Sequence, residues 1–268
     1  MSEWRTREAP AKLNLALVVG PRRADGRHEV VTVMERLSLS DTVSVRVAAD
    51  TAVDGFDDDT LVRAALEAVT AAAPGDQRFE ARIEKRIPVA AGLGGGSSDA
   101  GAALLLANEF LDAPFEADAL HGLAVGLGAD VPFFLTDGAQ LATGDGTTLA
   151  PVALPRDHVV LLALPDDATK SSTGAVYAAF DGRGGASGYA ARRDRLLSAL
   201  AGADLAALPP NDLATSPLAE ELRAAGAFRA DVTGAGPVVF GLFASERDAA
   251  RAADALAGRA RIWLETPG

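Results

Sequence analysis

Residues 88–104 read PVAAGLGGGSSDAGAAL. Four glycines, Gly92, Gly94, Gly95 and Gly96, fall within five positions, and two hydroxyls, Ser97 and Ser98, follow at once. Upstream, Arg82-Ile83-Glu84-Lys85-Arg86-Ile87 alternates charged and apolar side chains, the period of a half-buried strand. Downstream, AGAALLLANEFL is rich in strong helix formers, with Ser or Asp as N-cap candidates. The order is strand, glycine loop, helix N-terminus. Such a loop brings bare backbone N–H groups up to an anion, and the helix dipole favours negative charge there. Phosphate is the natural guest. The P-loop signature GxxxxGK[ST] is absent, because no Lys precedes Ser97. The dinucleotide fingerprint GxGxxG fails as well: its third glycine would fall on Ser97 or on Asp99. A bare turn needs one or two glycines rather than four.

Composition narrows the remaining classes. A chain of 268 residues makes one large or two modest domains, and 49% hydrophobic residues supply an ample core, much of it Ala. A net charge of −12 argues against non-specific binding of nucleic acid or an anionic membrane, so an anionic substrate must enter through a local basic patch. There is no Cys, which excludes disulfides, thiolate catalysis and Cys-ligated zinc. His28, His121 and His158 are far apart and form no HExxH pair. No apolar run approaches the ~18–20 residues that span a bilayer. The opening MSEWRTREAPAK lacks an apolar signal core, so a cytoplasmic protein is expected, free of nucleic-acid and membrane partners.

Outward from the glycine stretch, APAKLNLALVVG (9–20) reads as a strand. Lys12 and Asn14 are two apart and share a face, while Ala11, Leu13 and Leu15 pack the other. That polar face is either solvated or lines a cleft. Pro21 and the Asp25-Gly26 pair break structure in the basic turn PRRADGRHE. VVTVMERLSLSDTVSVRVA (30–48) alternates over two runs and reads as a strand pair broken at Ser40-Asp41. Asp54–Asp59 reads as a solvated loop, and residues 60–73 as a helix with Thr60 at its N-cap. Lys85 either reaches a nucleotide or is a solvated strand residue. A helix over 116–127 precedes GLGADVPFFL, where Asp130 is wedged before a strand-like apolar run and must have a partner. HVVLLALP (158–165) is a buried strand and DDATKSSTGAVYAAF (166–180) a loop entering a helix. DGRGGASGY (181–189) is expected to be mobile. Helices are expected near 190–202, 217–226 and 246–258, with a glycine turn between two strands in DVTGAGPVVFGLFAS (231–245) and a last strand in RIWLETP.

The glycine stretch resembles the second motif of the GHMP kinase superfamily, which includes galactokinase and the homoserine, mevalonate and phosphomevalonate kinases. APAKLNL resembles the first motif, and Thr233-Gly234-Ala235-Gly236 the third, in the right order over roughly residues 9–244. The triple glycine followed by SSDA most resembles the branch that phosphorylates the 2-hydroxyl of 4-diphosphocytidyl-2-C-methyl-D-erythritol in the non-mevalonate isoprenoid pathway. The resemblance implies an α+β, two-domain fold. An N-terminal domain like domain 2 of ribosomal protein S5 would span 1–153, and a ferredoxin-like C-terminal domain 154–268. It implies Mg-ATP as phosphoryl donor, with the triphosphate held by Pro88, Val89, Ala90, Ala91, Gly92, Leu93, Gly94, Gly95, Gly96, Ser97 and Ser98, and Lys85 is counted with them as ATP-binding. Ser97 or Ser98 would meet a phosphate or the Mg2+, and no dedicated metal ligand is evident. Asp130 would take or orient the proton of the attacking hydroxyl, with Lys12 as its cationic neighbour and stabiliser of the transferring phosphoryl group. Asn14, Arg27, His28, Tyr177, Thr233 and Gly234 would face the substrate, with His28 and Tyr177 on the cytidine. Arg27 stands where the branch has Tyr, and a guanidinium also stacks on a base. Thr60 stands for the branch's Asn and Gly174 for its Pro, and LPPNDLA matches a segment read as structural. A small-molecule kinase of this kind is expected as a monomer or weak homodimer. The alternatives are a GHMP kinase with a different alcohol substrate, or a non-catalytic nucleotide-binding member of the fold.

Overall fold

The computed structural model describes residues 3–168 and 172–268. By contacts the chain forms two compact units. One holds residues through Ala11, Leu39–Val89 and Gly94–Asp137; the other holds Lys12–Ser38, Ala90–Leu93 and Gly138–Gly268.

The first unit combines the start of β1 (Arg5–Arg22), the second half of β2 (His28–Ala48), β3 (Ala52–Asp54) and β4 (Arg78–Glu84) with α1 (Leu61–Ala72), α2 (Gly95–Asn108) and α3 (Ala117–Leu127). β4 lies between β3, in parallel, and β2, antiparallel in the register Thr42↔Glu84 to Ala48↔Arg78. Val62, Leu66 and Val69 of α1 and Ala100, Ala103 and Leu104 of α2 pack with Val43, Val45, Phe79 and Ile83 into one core. Ser98 through Leu104 are all buried, so α2 is enclosed nearly all round and carries small residues instead of an amphipathic stripe. Gly101 shows why: a Cβ there would sit 2.8 Å from Phe134 Cβ.

The second unit holds the rest of β1 and β2 with the hairpin β5 (Ala139–Gly144) and β6 (Thr148–Val152), which the sequence reading did not anticipate. β5 pairs with β2 from Val30↔Gly144 to Met34↔Gln140. A second, fully antiparallel sheet contains β7 (Val159–Pro165), β8 (Arg229–Val232), β9 (Val239–Phe243) and β10 (Ala260–Glu265), in the order β10-β7-β9-β8. With α6 (Pro217–Ala224) between β7 and β8, and α7 (Glu246–Ala255) between β9 and β10, this is the ferredoxin-like βαββαβ arrangement. α4 (Thr173–Gly182) and α5 (Tyr189–Ala201) are inserted before α6. Leu161, Leu222, Val239, Phe243 and Ala252 fill its core.

Three expectations need correction, and a fourth, Thr60 at the N-cap, holds with an added acceptor. β2 is one continuous strand of 21 residues without a break at Ser40-Asp41; its 30–34 stretch pairs with β5 and its 42–48 stretch with β4, and the polar pair falls where the partner changes. Val131–Leu135 is a 3-10 helix instead of a strand, with Pro132, which cannot donate to a ladder, near its start. Thr60 occupies the N-cap of α1, but the capping acceptor is Asp59, whose carboxylate takes the N–H groups of Val62 and Arg63 at 3.1 and 3.0 Å. The stretch 181–189 is not a loose glycine loop: Gly185 lies flat on Phe180, where a Cβ would come within 2.3 Å of the ring, and Arg192 bonds the carbonyls of Gly185 and Ser187.

Candidate active site

β1 delivers Lys12 and Asn14 to one face, and that face is buried: the two are 4% and 5% exposed. The solvated alternative for this pair is thereby excluded. Lys12 Nζ donates to Asn14 Oδ1. Asn14 Nδ2 donates to Thr32 Oγ1 at 2.8 Å, and Thr32 Oγ1 to Ala16 O at 2.7 Å. Asn14 N donates to Thr233 Oγ1 at 3.0 Å, and Thr233 is fully buried. A Cβ on Gly234 would lie 3.1 Å from Asn14 Oδ1 and 3.4 Å from Lys12 Nζ. The first and third motifs therefore meet side by side.

Residues 90–93 of the glycine stretch join them. Lys12 N donates to Leu93 O at 2.9 Å and Val238 N to Ala91 O at 3.4 Å. Gly92 has φ +87°, and a Cβ there would sit 2.5 Å from Thr233 O. On Gly236 a Cβ would sit 2.3 Å from Ala91 O and Gly92 N. The backbones of the two glycine turns touch directly, which only residues lacking a side chain permit. Asn211 Nδ2 pins the far side through Val232 O and Gly234 O at 2.9 and 2.7 Å.

In the first unit, Gly94 stands at the N-cap of α2 with φ +72°, so Gly95, Gly96, Ser97 and Ser98 form its first turn. Pro88 is half-buried and Val89 exposed. The Ser98 hydroxyl is buried and has no hydrogen-bond partner among the described residues. Lys85 follows β4 and is neither solvated nor extended outward. Its Nζ donates to Asp99 Oδ2 at 2.7 Å and to Asp41 Oδ2. Asp41 is wholly buried, and its Oδ1 accepts the N–H of Ile87 at 2.8 Å and that of Arg86. Burial pushes the Asp99 carboxyl up to about 7, against the pull of Lys85. Burial alone would lower Lys85, but the two carboxylates raise it. Asp130 is half-buried, at the N-cap of the 3-10 helix.

His28 begins β2 in the second unit and is buried. Its ring stacks on Tyr177 at 4.9 Å and 27°, with Phe180 edge-on at 5.8 Å. Its Nε2 is 2.8 Å from Asp181 Oδ1, and this hydrogen bond is the main reason the Asp181 carboxyl lies below its ordinary range. Arg27 is half-exposed and pairs with Asp145 at 2.6 Å. Asp145 is held down first by the Thr147 hydroxyl, then by Arg27.

Residues 60–138 match the GHMP kinases N terminal domain family and residues 195–261 the GHMP kinases C terminal family. A 4-diphosphocytidyl-2-C-methyl-D-erythritol kinase of Anaeromyxobacter dehalogenans is 40% identical over 94% of this chain and 85% of its own. The chain belongs to the GHMP kinases. The kinase of the same name from Gloeobacter violaceus is 37% identical over 96% of this GHMP kinase and 91% of its own length. Among solved structures, a 4-(cytidine 5'-diphospho)-2C-methyl-D-erythritol kinase superposes with a TM-score of 0.81 at 33% identity, covering 98% and 99% of the two chains. A homoserine kinase from Cytophaga hutchinsonii, 16% identical with a TM-score of 0.75 over 100% and 96%, shares the fold.

Sequence reasoning missed several residues of this GHMP kinase. Asp41 and Asp99 flank Lys85, Asp181 holds His28 and Thr32 supports Asn14, whereas Asn211 lies in LPPNDLA, read as structural, and braces the third motif as such a segment would. Asp99 was in plain view inside the glycine motif. Thr32 could have been found by strand alternation, lying two repeats beyond His28. Asp41 and Asp181 carry no local signal. Among the described residues no group of three or more His, Asp or Glu forms a metal cluster.

Proposed function

We propose that this GHMP kinase transfers the γ-phosphoryl group of ATP to the 2-hydroxyl of 4-diphosphocytidyl-2-C-methyl-D-erythritol, in the non-mevalonate pathway to isoprenoid precursors. The observation that carries the reading is the 40% identity, over nearly the whole chain, to kinases of that name. The buried Lys12–Asn14–Thr233 node supports it, since it sets the Lys12 amine beside Asn14 and the third glycine motif, where it can meet an incoming anion. In this reading Asp130 takes the hydroxyl proton and Lys12 offsets charge on the transferring phosphoryl group. Residues 88–98 hold the triphosphate through N–H groups, with Lys85 bracing the loop. Asn14, Thr233 and Gly234 border the alcohol, and His28, Tyr177 and Arg27 hold the cytidine. Mg2+ accompanies ATP and neutralises phosphate charge, and Ser97 or Ser98, in the first turn of α2, meets a phosphate or the ion.

We infer an N-terminal domain over 1–153 and a C-terminal domain over 154–268, a division compatible with the two matched family segments. We also infer a cytoplasmic enzyme, since ATP is supplied there, acting as a monomer or weak homodimer. Among the described residues no helix is long and apolar enough to cross a membrane. A different alcohol substrate is favoured by two departures from the branch: Arg27 replaces its Tyr and is tied to Asp145, and Gly174 replaces its Pro. ATP turnover measured with the cytidylyl alcohol, mevalonate, homoserine and sugars separates the two. Turnover with the first alone is expected; turnover with another alcohol, or with none, overturns the assignment.

A further inference from the structure

The hydroxyl of Thr32 sits between two partners of unlike kind, and this settles which way the Asn14 amide faces. The carbonyl of Ala16 only accepts, so Thr32 spends its one hydroxyl proton there, at 2.7 Å. What Thr32 then offers Asn14 is a lone pair, at 2.8 Å. Only the Nδ2 end of an amide can use a lone pair. Oδ1 is therefore turned to the other side, where it accepts from Lys12 Nζ. A reversed amide would set oxygen against oxygen at Thr32 and donor against donor at Lys12. Lys12, Asn14 and Thr32 are each at most 5% exposed, so bulk water is not at hand to repair either mismatch. The surroundings hold the arrangement. Asn14 N donates to Thr233 Oγ1 at 3.0 Å, and Gly234 leaves room beside Oδ1, where a Cβ would lie 3.1 Å away. Thr32 stands on β2 opposite Ala142 of β5, and branching at its Cβ restricts the rotation that aims the hydroxyl.

We propose that Thr32 is a positioning residue for the phosphoryl transfer: its hydroxyl fixes the amide of Asn14 so that an acceptor, and not a donor, meets Lys12. The inference rests on the kinase reading above, in which Lys12 offsets charge on the transferring group, and adds the side chain that holds Lys12 in place through Asn14. That charge grows in the transition state, so a loosened Lys12 shows in kcat more than in the KM for ATP.

The test measures kcat and KM with the cytidylyl alcohol and ATP in the full chain and in Thr32→Val and Thr32→Ser. Val keeps the shape and loses the hydroxyl, whereas Ser keeps the hydroxyl and loses the methyl group. Thr32→Val is expected to lower kcat about tenfold to a hundredfold, the scale of a misplaced catalytic group, with the KM for ATP changed by less than about threefold. Thr32→Ser, which still accepts from Nδ2, is expected to keep kcat within about threefold of the unaltered enzyme. A packing role ranks the two variants the other way. That ranking, equal losses in both, or full kcat in Thr32→Val overturns the proposal. Proton NMR of the unaltered protein gives a readout that needs neither activity nor a folded variant. The Asn14 amide protons are expected to make their strongest nuclear Overhauser contacts with the Thr32 side chain; strongest contacts with the Lys12 ε-methylene would overturn the proposal. If the unaltered enzyme phosphorylates no alcohol, the kinase reading fails instead, and the NMR contacts still decide whether Thr32 orients Asn14.

Discussion

Lys85 Nζ and Asp99 Oδ2 lie 2.7 Å apart behind the first turn of α2, with Asp41 closing the other side of the ammonium. Two buried carboxylates thus share one positive charge. That leaves an excess negative charge out of water, and the cluster is relieved by taking up a proton.

The sign of the resulting pH dependence follows from Asp99, whose carboxyl rises from 3.8 to about 7 on folding. Between those values the folded chain binds more protons than the unfolded chain. Its contribution to stability is full below the lower value and is lost as pH rises through the upper one. Lys85 is raised, so it stays charged throughout this window. Relative to Asp99→Asn, the unaltered protein should lose roughly 1–3 kcal/mol between about pH 5 and about pH 8. Urea unfolding at both pH values measures this. A constant difference between the two proteins would refute the shared-charge account.

Asp130→Asn should lower kcat by about a hundredfold or more while leaving the fold intact, the scale of general-base effects. Steady-state kinetics with circular dichroism checks it. Full activity in the variant would remove Asp130 from the chemistry.

Asn211 is 5% exposed and donates from one amide to two carbonyls of the third motif, Val232 O and Gly234 O. Asn211→Ala leaves both acceptors without that donor and should cost about 1–3 kcal/mol of stability. It should also raise KM, because Gly234 adjoins Asn14 and Lys12. Thermal unfolding and substrate titration read the two effects separately, and unchanged values in both would contradict the bracing role.

Asp59→Ala removes the carboxylate that accepts from Val62 and Arg63 at the start of α1. The expected loss is about 1 kcal/mol, whereas Thr60→Ala should cost far less. Denaturant midpoints for the two variants should rank in that order; the reverse order would return the cap to Thr60.

The regular elements were legible because their signals are local. HVVLLALP announces β7 by unbroken apolarity, and the glycine stretch announces a loop entering a helix. Lys12 and Asn14 were paired by strand alternation, and the structure buries both. What stayed hidden depends on distant chain. Asp41 reaches residues 44 to 46 positions away, and Asp181 lies 153 positions from His28. Polar residues such as Ser40 and Asp41 suggest a break in a strand, and only a buried partner turns them into part of it. VPFFL reads as a strand by composition, while its 3-10 form is set by Pro132 and by the close approach of Gly101 to Phe134.

The direct backbone contact of Gly236 with Ala91 and Gly92 has a consequence for how this enzyme can vary. Neither turn has room to gain a methyl group unless the other retreats, so single substitutions at either place meet a barrier that paired ones would avoid. Loop exchange between relatives should therefore yield working chimaeras only when both segments come from one parent.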